Sequence, residues 1–180
     1  MKISLPASDL AKRRLPLQRV FGPLTPKGRV QVFLRTTATG AVAGLGTDHS
    51  DQELRLARHS CWVTTVFLNY FEVWHSKERG RTFILNKAYF HLDAPLSRGQ
   101  GDEEVLAVHC DPMITSGEVS FVYKRGPHMH VSGNKRDISK AHIALCLSNL
   151  EHTCSSFDAY WFAFEGILKM VNEEILPRLT

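Results

Sequence analysis

The chain has 180 residues, 43% of them apolar, a formal charge of +4 and nine histidines. That is enough for one domain with its own core, and the modest positive excess admits nucleic acid or anionic ligands without demanding them. No stretch approaches the roughly 18 continuous apolar residues of a membrane span, and Asp9 followed by Lys12-Arg13-Arg14 is not a secretory pattern, so the expectation is a cytoplasmic protein with no membrane partner.

Residues 1–29 are rich in proline (Pro6, Pro16, Pro23, Pro26) and in basic side chains. Prolines at this density forbid a long helix and discourage a central strand. The segment reads as a basic arm with one short helical turn near Ser8–Arg14, and 30–180 as a single α+β domain. Such an arm suits a phosphate backbone or a protein partner.

Arg29–Arg35 alternates and predicts a strand. Thr36–Gly46 is Thr, Gly and Ala, a glycine-rich loop or a weak strand without a Walker or dinucleotide fingerprint. Ser50-Asp51-Gln52-Glu53 resembles a helix start, predicting a short helix over Asp48–Arg58. Cys61–Trp74 is dense in β-branched and aromatic residues and favours strand, with a buried helix as the alternative because its alternation is imperfect. Ser76–Gly80 is a charged turn, and Arg81–Asp93 the returning strand of a hairpin. After a polar loop over Pro95–Glu104 come strands at Val105–Cys110 and Val119–Tyr123. Arg125-Gly126-Pro127 interrupts, and His128–Val131 resumes.

Asn149–Ser156 reads as a loop. Ser155-Ser156-Phe157-Asp158 matches a capping pattern. Phe157, Tyr160, Trp161, Phe164, Ile167, Leu168, Val171 and Ile175 then recur at helical spacing up to Pro177. The predicted fold is α+β: an antiparallel β-meander packed on one face by a C-terminal amphipathic helix.

The chemistry concentrates between Tyr123 and Leu145. Residues i and i+2 of a strand point the same way, so His128 and His130 share a face. Gly126-Pro127 stiffens their approach. His109 and His91 lie on the preceding strands, about 5 Å away per strand. His142 returns after Asn134, and Lys124 and Arg125 flank the group. Such a cluster can bind a divalent metal such as zinc, with His128 and His130 as first ligands. It can hold phosphate and move a proton, with His128, His130 and His142 as catalytic groups and Lys124, Arg125 and His109 as ligand-binding groups. Or the rings can be structural, each donating to a backbone carbonyl.

The run Lys124-Arg125-Gly126-Pro127-His128-Met129-His130, with Ala141-His142-Ile143-Ala144-Leu145 and the terminal helix, resembles an uncharacterised group of small bacterial proteins with a Pro-His-x-His strand. The resemblance covers about the last third of the chain. It implies a bacterial origin and brings no activity. His130 with Asn134, and Cys146-Leu147, also resemble the corresponding features of E2-like ubiquitin-conjugating folds. That likeness implies a thioester on Cys146 with Asn134 as oxyanion donor. The chain departs from it in lacking an intact His-Pro-Asn and a tryptophan soon after the cysteine. A buried free thiol is the competing reading of Cys146. None of the cysteines (Cys61, Cys110, Cys146, Cys154) forms a CxxC pair, and reduced thiols are expected.

The functional expectation is a protein that binds phosphate, nucleotide or nucleic acid on a basic, histidine-lined sheet face, with hydrolysis as an extension. The alternatives are a non-catalytic protein-interaction subunit and the E2-like enzyme.

Overall fold

A computed structural model describes residues 2–28, 30–46, 59–63, 66–95, 102–113, 124–131, 141–145 and 149–179. Its frame is a nine-stranded sheet. The strands are β1 (Ser4–Pro6), β2 (Val32–Thr36), β3 (Gly40–Leu45), β4 (His59–Ser60), β5 (Phe67–Lys77), β6 (Thr82–Pro95), β7 (Asp102–Cys110), β8 (His128–Val131) and β9 (Ala141–Ala144). The spatial order is β2-β3-β5-β6-β7-β8-β9, and every pairing is antiparallel. Apart from β1 and β4, sequence neighbours are sheet neighbours, so the meander is present. Two short strands complete the edges of the long hairpin: β1 pairs with the first residues of β6, and β4 with the first residues of β5.

Alternation sorts the two faces over the middle of the hairpin. Leu68, Tyr70, Glu72 and Trp74 of β5 point inward, as do Ala88, Phe90 and Leu92 of β6. The buried-helix alternative for Cys61–Trp74 is therefore wrong, and its start needs correcting too: Cys61-Trp62-Val63 precede the strand, which begins at Phe67. The alternation was obscured in sequence because one inward position is a carboxylate.

Of the two readings of Thr36–Gly46, the strand holds. Gly40 and Gly44 let β3 approach β5 closely, since a Cβ on Gly44 would lie 2.5 Å from the Tyr70 carbonyl and one on Gly40 would collide with that of Trp74. The polar loop read over Pro95–Glu104 is shorter than expected, because β6 runs to Pro95 and β7 begins at Asp102. The helix expected over Asp48–Arg58 and the strand over Val119–Tyr123 lie outside the described residues.

The N-terminal segment read as an arm is packed into the core. After β1 come α1 (Ala7–Leu10) and α2 (Arg14–Phe21), with 3-10 turns at Gly22–Leu24 and Pro26–Gly28. Ile3, Leu5, Leu10, Leu17, Phe21 and Leu24 are all buried. Pro16 sits in the first turn of α2, where a missing N–H is harmless, and Pro6 falls on a strand three residues long. Proline density limited the length of these elements without excluding them.

The helix α3 (Leu150–Thr153) leads into α4 (Phe157–Met170). Ser156 caps α4, its hydroxyl accepting from the Ala159 N–H at 3.2 Å. Tyr160, Trp161, Phe164, Ile167 and Leu168 are buried, as the helical spacing predicts. They seat the helix on the inner face of the sheet: the Phe164 and Tyr70 ring centroids are 5.1 Å apart, and Phe21 of α2 lies 4.8 Å from Tyr70. Beyond Met170 the chain continues as a π turn (Val171–Ile175) and a 3-10 turn (Leu176–Arg178) that contains Pro177.

At the centre of this layer Glu72 is fully buried and ion-paired with Arg13, itself 1% exposed. Arg13 donates through Nε and Nη2, Tyr70 through its hydroxyl at 2.6 Å, and Trp74 through its indole N–H at 3.1 Å. The guanidinium also lies over the Trp161 ring at 3.7 Å and the Phe157 ring at 4.7 Å. Burial pulls the Arg13 pKa down, but Glu72 outweighs it and holds the pKa above its ordinary value. Burial, reinforced by the Glu72 charge, raises the Tyr70 phenol well above its ordinary value of 10.0. Tyr160 is raised in the same direction, chiefly by burial.

Two outcomes follow. Glu72→Gln strands a buried cation and should cost about 3–5 kcal/mol in urea unfolding; a cost under about 1 kcal/mol would mean the pair is not desolvated. For the phenols, the folded state favours the protonated form. Their stabilising contribution is complete below the unfolded pKa of about 10 and is lost as pH rises beyond it. In an alkaline titration followed by phenolate absorbance, Tyr70 and Tyr160 should ionise only together with loss of the fold, not in a separate step near pH 10.

Candidate functional site

The outer face of the sheet carries two rows of cross-strand neighbours. One runs Asn69, His91, Ala107, His130, and the other Phe71, Tyr89, His109, His128, from β5 through β8. Residues directly opposite on paired strands present to the same face. The register alone therefore collects four histidines from three strands.

The side chains close the gap further. His109, His128 and His130 each offer a ligand atom, and these atoms lie within 4.8 Å of one another. The His109 and His130 ring centroids are 4.0 Å apart, those of His128 and His130 5.3 Å. Ala107 explains how His109 fits: it stands between His91 and His130 in its row and fills only the space of a methyl. His128 is fully buried, while His109 and His130 are half-buried. His142 pairs its backbone opposite His130, and its side chain is outside the described residues.

Hydrogen bonds set the tautomers. A carboxylate can only accept, so His91 donates from Nδ1 to Glu104, 3.0 Å away. In the neutral ring His91 Nε2 then accepts, and its contact with His109 Nε2 at 3.1 Å is a bond donated by His109. That leaves the His109 lone pair on Nδ1. His128 Nδ1 lies 3.0 Å from the Gly126 carbonyl and donates to it, leaving the lone pair on Nε2. Tyr89 stacks on His109, centroids 3.9 Å apart at 16°, and donates its hydroxyl to Asp111 at 2.7 Å. Burial raises the Asp111 carboxyl above its ordinary range. Tyr89, His128, Lys124 and Lys87 pull it back down, which places both lysines and His128 within electrostatic reach of Asp111.

The turn ahead of β8 is held from several sides. Cys110 at the end of β7 and Cys154 after α3 both donate to the Arg125 carbonyl, at 3.4 and 3.6 Å. Asp111 N–H donates to the Lys124 carbonyl at 2.9 Å, and Leu145 N–H to that of Pro127 at 3.0 Å. Gly126 and Pro127 are buried. The C-terminal layer thus braces the histidine strand through a thiol.

Of the residues singled out from sequence, the fold gathers His109, His128, His130 and His91, with half-buried Lys124 and Arg125 at the preceding turn. Cys146 and Asn134 lie outside the described residues. Sequence reasoning missed Glu104, Tyr89, Asp111 and Lys87. Glu104 fell inside a supposed loop, and only the pairing of β6 with β7 reveals the others. No protein-family model matches the chain, nor does any curated protein or solved structure.

Ala107→Leu tests the packing. Its branched side chain would enter the space the imidazoles occupy, with an overpacking cost of about 1–3 kcal/mol. The folded variant should show displaced His109 and His130 ring resonances while core methyl shifts on the inner face hold. Unmoved ring resonances would mean the rings do not converge around Ala107.

Proposed function

We propose that the outer sheet face is a divalent transition-metal centre of the zinc class, with His109, His128 and His130 as its ligands. The observation that carries this is the convergence of three imidazole ligand atoms within 4.8 Å. Ligand nitrogens around zinc sit about 3.3 Å apart when each is 2.0–2.1 Å from the metal, so modest ring rotations complete the set. The second shell supports it. A histidine ligand commonly donates its other N–H to a fixed acceptor, which sets its tautomer. His128 does so to Gly126, and His109 does so to the His91–Glu104 pair.

Three protein ligands leave a coordination position for water or substrate. Zinc held by these three histidines would lower the pKa of a water in that position and so supply a nucleophile near neutral pH. Lys87, 5.3 Å over the Tyr89 ring, and Lys124 both act on Asp111 beside the site, and their two positive charges exceed its one, which suits an anionic substrate. The substrate class this favours is a phosphate ester or nucleotide. A nucleic-acid reading loses the free arm but not its charge: Leu10, Leu17, Phe21 and Arg13 are buried, while Lys12, Arg14 and Arg19 stay exposed.

Calorimetric titration with Zn2+ tests the centre. The wild-type chain should bind one equivalent, and His128→Ala or His130→Ala should abolish it with the far-ultraviolet spectrum unchanged. Full Zn2+ affinity in both variants would rule the site out. Glu104→Gln and His91→Ala should bind more weakly by about 10- to 100-fold, since outer partners act through the ligand they orient. Hydrolysis of bis(p-nitrophenyl) phosphate should depend on added metal and disappear in His128→Ala; metal binding without turnover would restrict the centre to binding.

A further inference from the structure

Away from the histidines, a cleft of about 750 Å3 opens between α1, the start of α2, the end of β2 and the turn joining β5 to β6. Its apolar wall is Leu10, Leu34 and Phe83, and Arg14 and Arg79 stand on its rim. Volumes of this order accommodate small organic ligands. Neither guanidinium has a carboxylate partner among the described residues.

The turn that presents Arg79 is unusual. Glu78, Arg79 and Gly80 all have positive φ, at 50°, 55° and 85°. Hairpins that need left-handed residues ordinarily use Asn or Gly there, because a side chain in that region is strained. Thr82 donates to the Glu78 carboxylate at 3.1 Å, but nothing among the described residues holds the Arg79 side chain in this conformation, and a local rule broken in this way is a marker of a functional position. Here the outcome of the break is a guanidinium at an apolar cleft that Arg14 also lines.

We infer that this cleft binds a small amphipathic anion. The head is a carboxylate or phosphate held by Arg14 and Arg79, and the aliphatic body lies against Leu10, Leu34 and Phe83. Planar guanidinium groups match both head chemistries, and the apolar wall gains by covering a hydrocarbon chain. None of these residues belongs to the histidine cluster, so this site and the metal centre stand or fall separately.

The test uses decanoate, decyl phosphate and the uncharged decanol, titrated into the full chain by calorimetry or by amide chemical shifts. At least one anion should bind at least about tenfold more tightly than decanol, the ratio expected of one charge-assisted hydrogen bond. Which anion binds more tightly identifies the head group. The double variant Arg14→Gln/Arg79→Gln should lose that preference while keeping its thermal midpoint, since both side chains are exposed. Arg79→Gly should raise the thermal midpoint by relieving the strained turn, and weaken the anion. Equal affinity for decanol and both anions, no saturable binding of either anion, or an unchanged preference in the double variant would each overturn the assignment.

Discussion

The buried ion pair between Arg13 and Glu72 is the constraint on which the rest of the molecule depends. A carboxylate on the inner face of a sheet is costly to desolvate and is tolerated only when its lone pairs are met. Tyr70 and Trp74, two residues to either side on the same strand, supply two donors, and Arg13 supplies the compensating charge. Arg13 comes from the N-terminal segment, and its planar face rests on Trp161 of α4. One polar cluster therefore ties the beginning of the chain, the central hairpin and the C-terminal helix to a single arrangement. Its contribution is better understood as specificity than as net stability, because an apolar replacement of similar volume would fill the space without the desolvation penalty.

With the inner face fixed, the outer face follows. A strand residue has only two directions to point, and a slip of one residue exchanges them all. Glu72, Tyr70 and Trp74 cannot face water without undoing the core, so Phe71 and Asn69 must point outward, and the pairing carries that choice across β6, β7 and β8. The histidines share a surface because the polar knot in the core leaves the sheet no other register. Their closeness depends on a small residue, Ala107, and their tautomers on Glu104 and the Gly126 carbonyl.

The parts legible in the sequence are those written in local pattern. The amphipathic stripe of α4, the β5–β6 hairpin and the shared face of His128 and His130 are all short-range periodicities. What was not legible is what only pairing creates. Arg13 looks like one of many basic residues in a proline-rich stretch, and nothing local announces a partner 59 residues away. Arginine is ordinarily exposed, so residues 1–29 read as a basic arm. Glu104 looked like loop acidity until β7 was seen to begin at Asp102. Gly40 and Gly44 looked like flexibility, and their reason is the neighbouring strand's carbonyl groups.

The packing of the N-terminal segment has a consequence for how the chain is made. During synthesis residues 2–28 emerge before the elements they pack on: β1 has no strand to join until β6 exists, and Arg13 has no ring to rest on until Trp161 has been added. Domains generally fold as units during synthesis. Here Leu10, Leu17 and Phe21 must stay without their full cover until the α4 segment has been translated. Prolines and like charges both oppose aggregation, so the composition of that stretch suits a segment whose packing partners are still being translated.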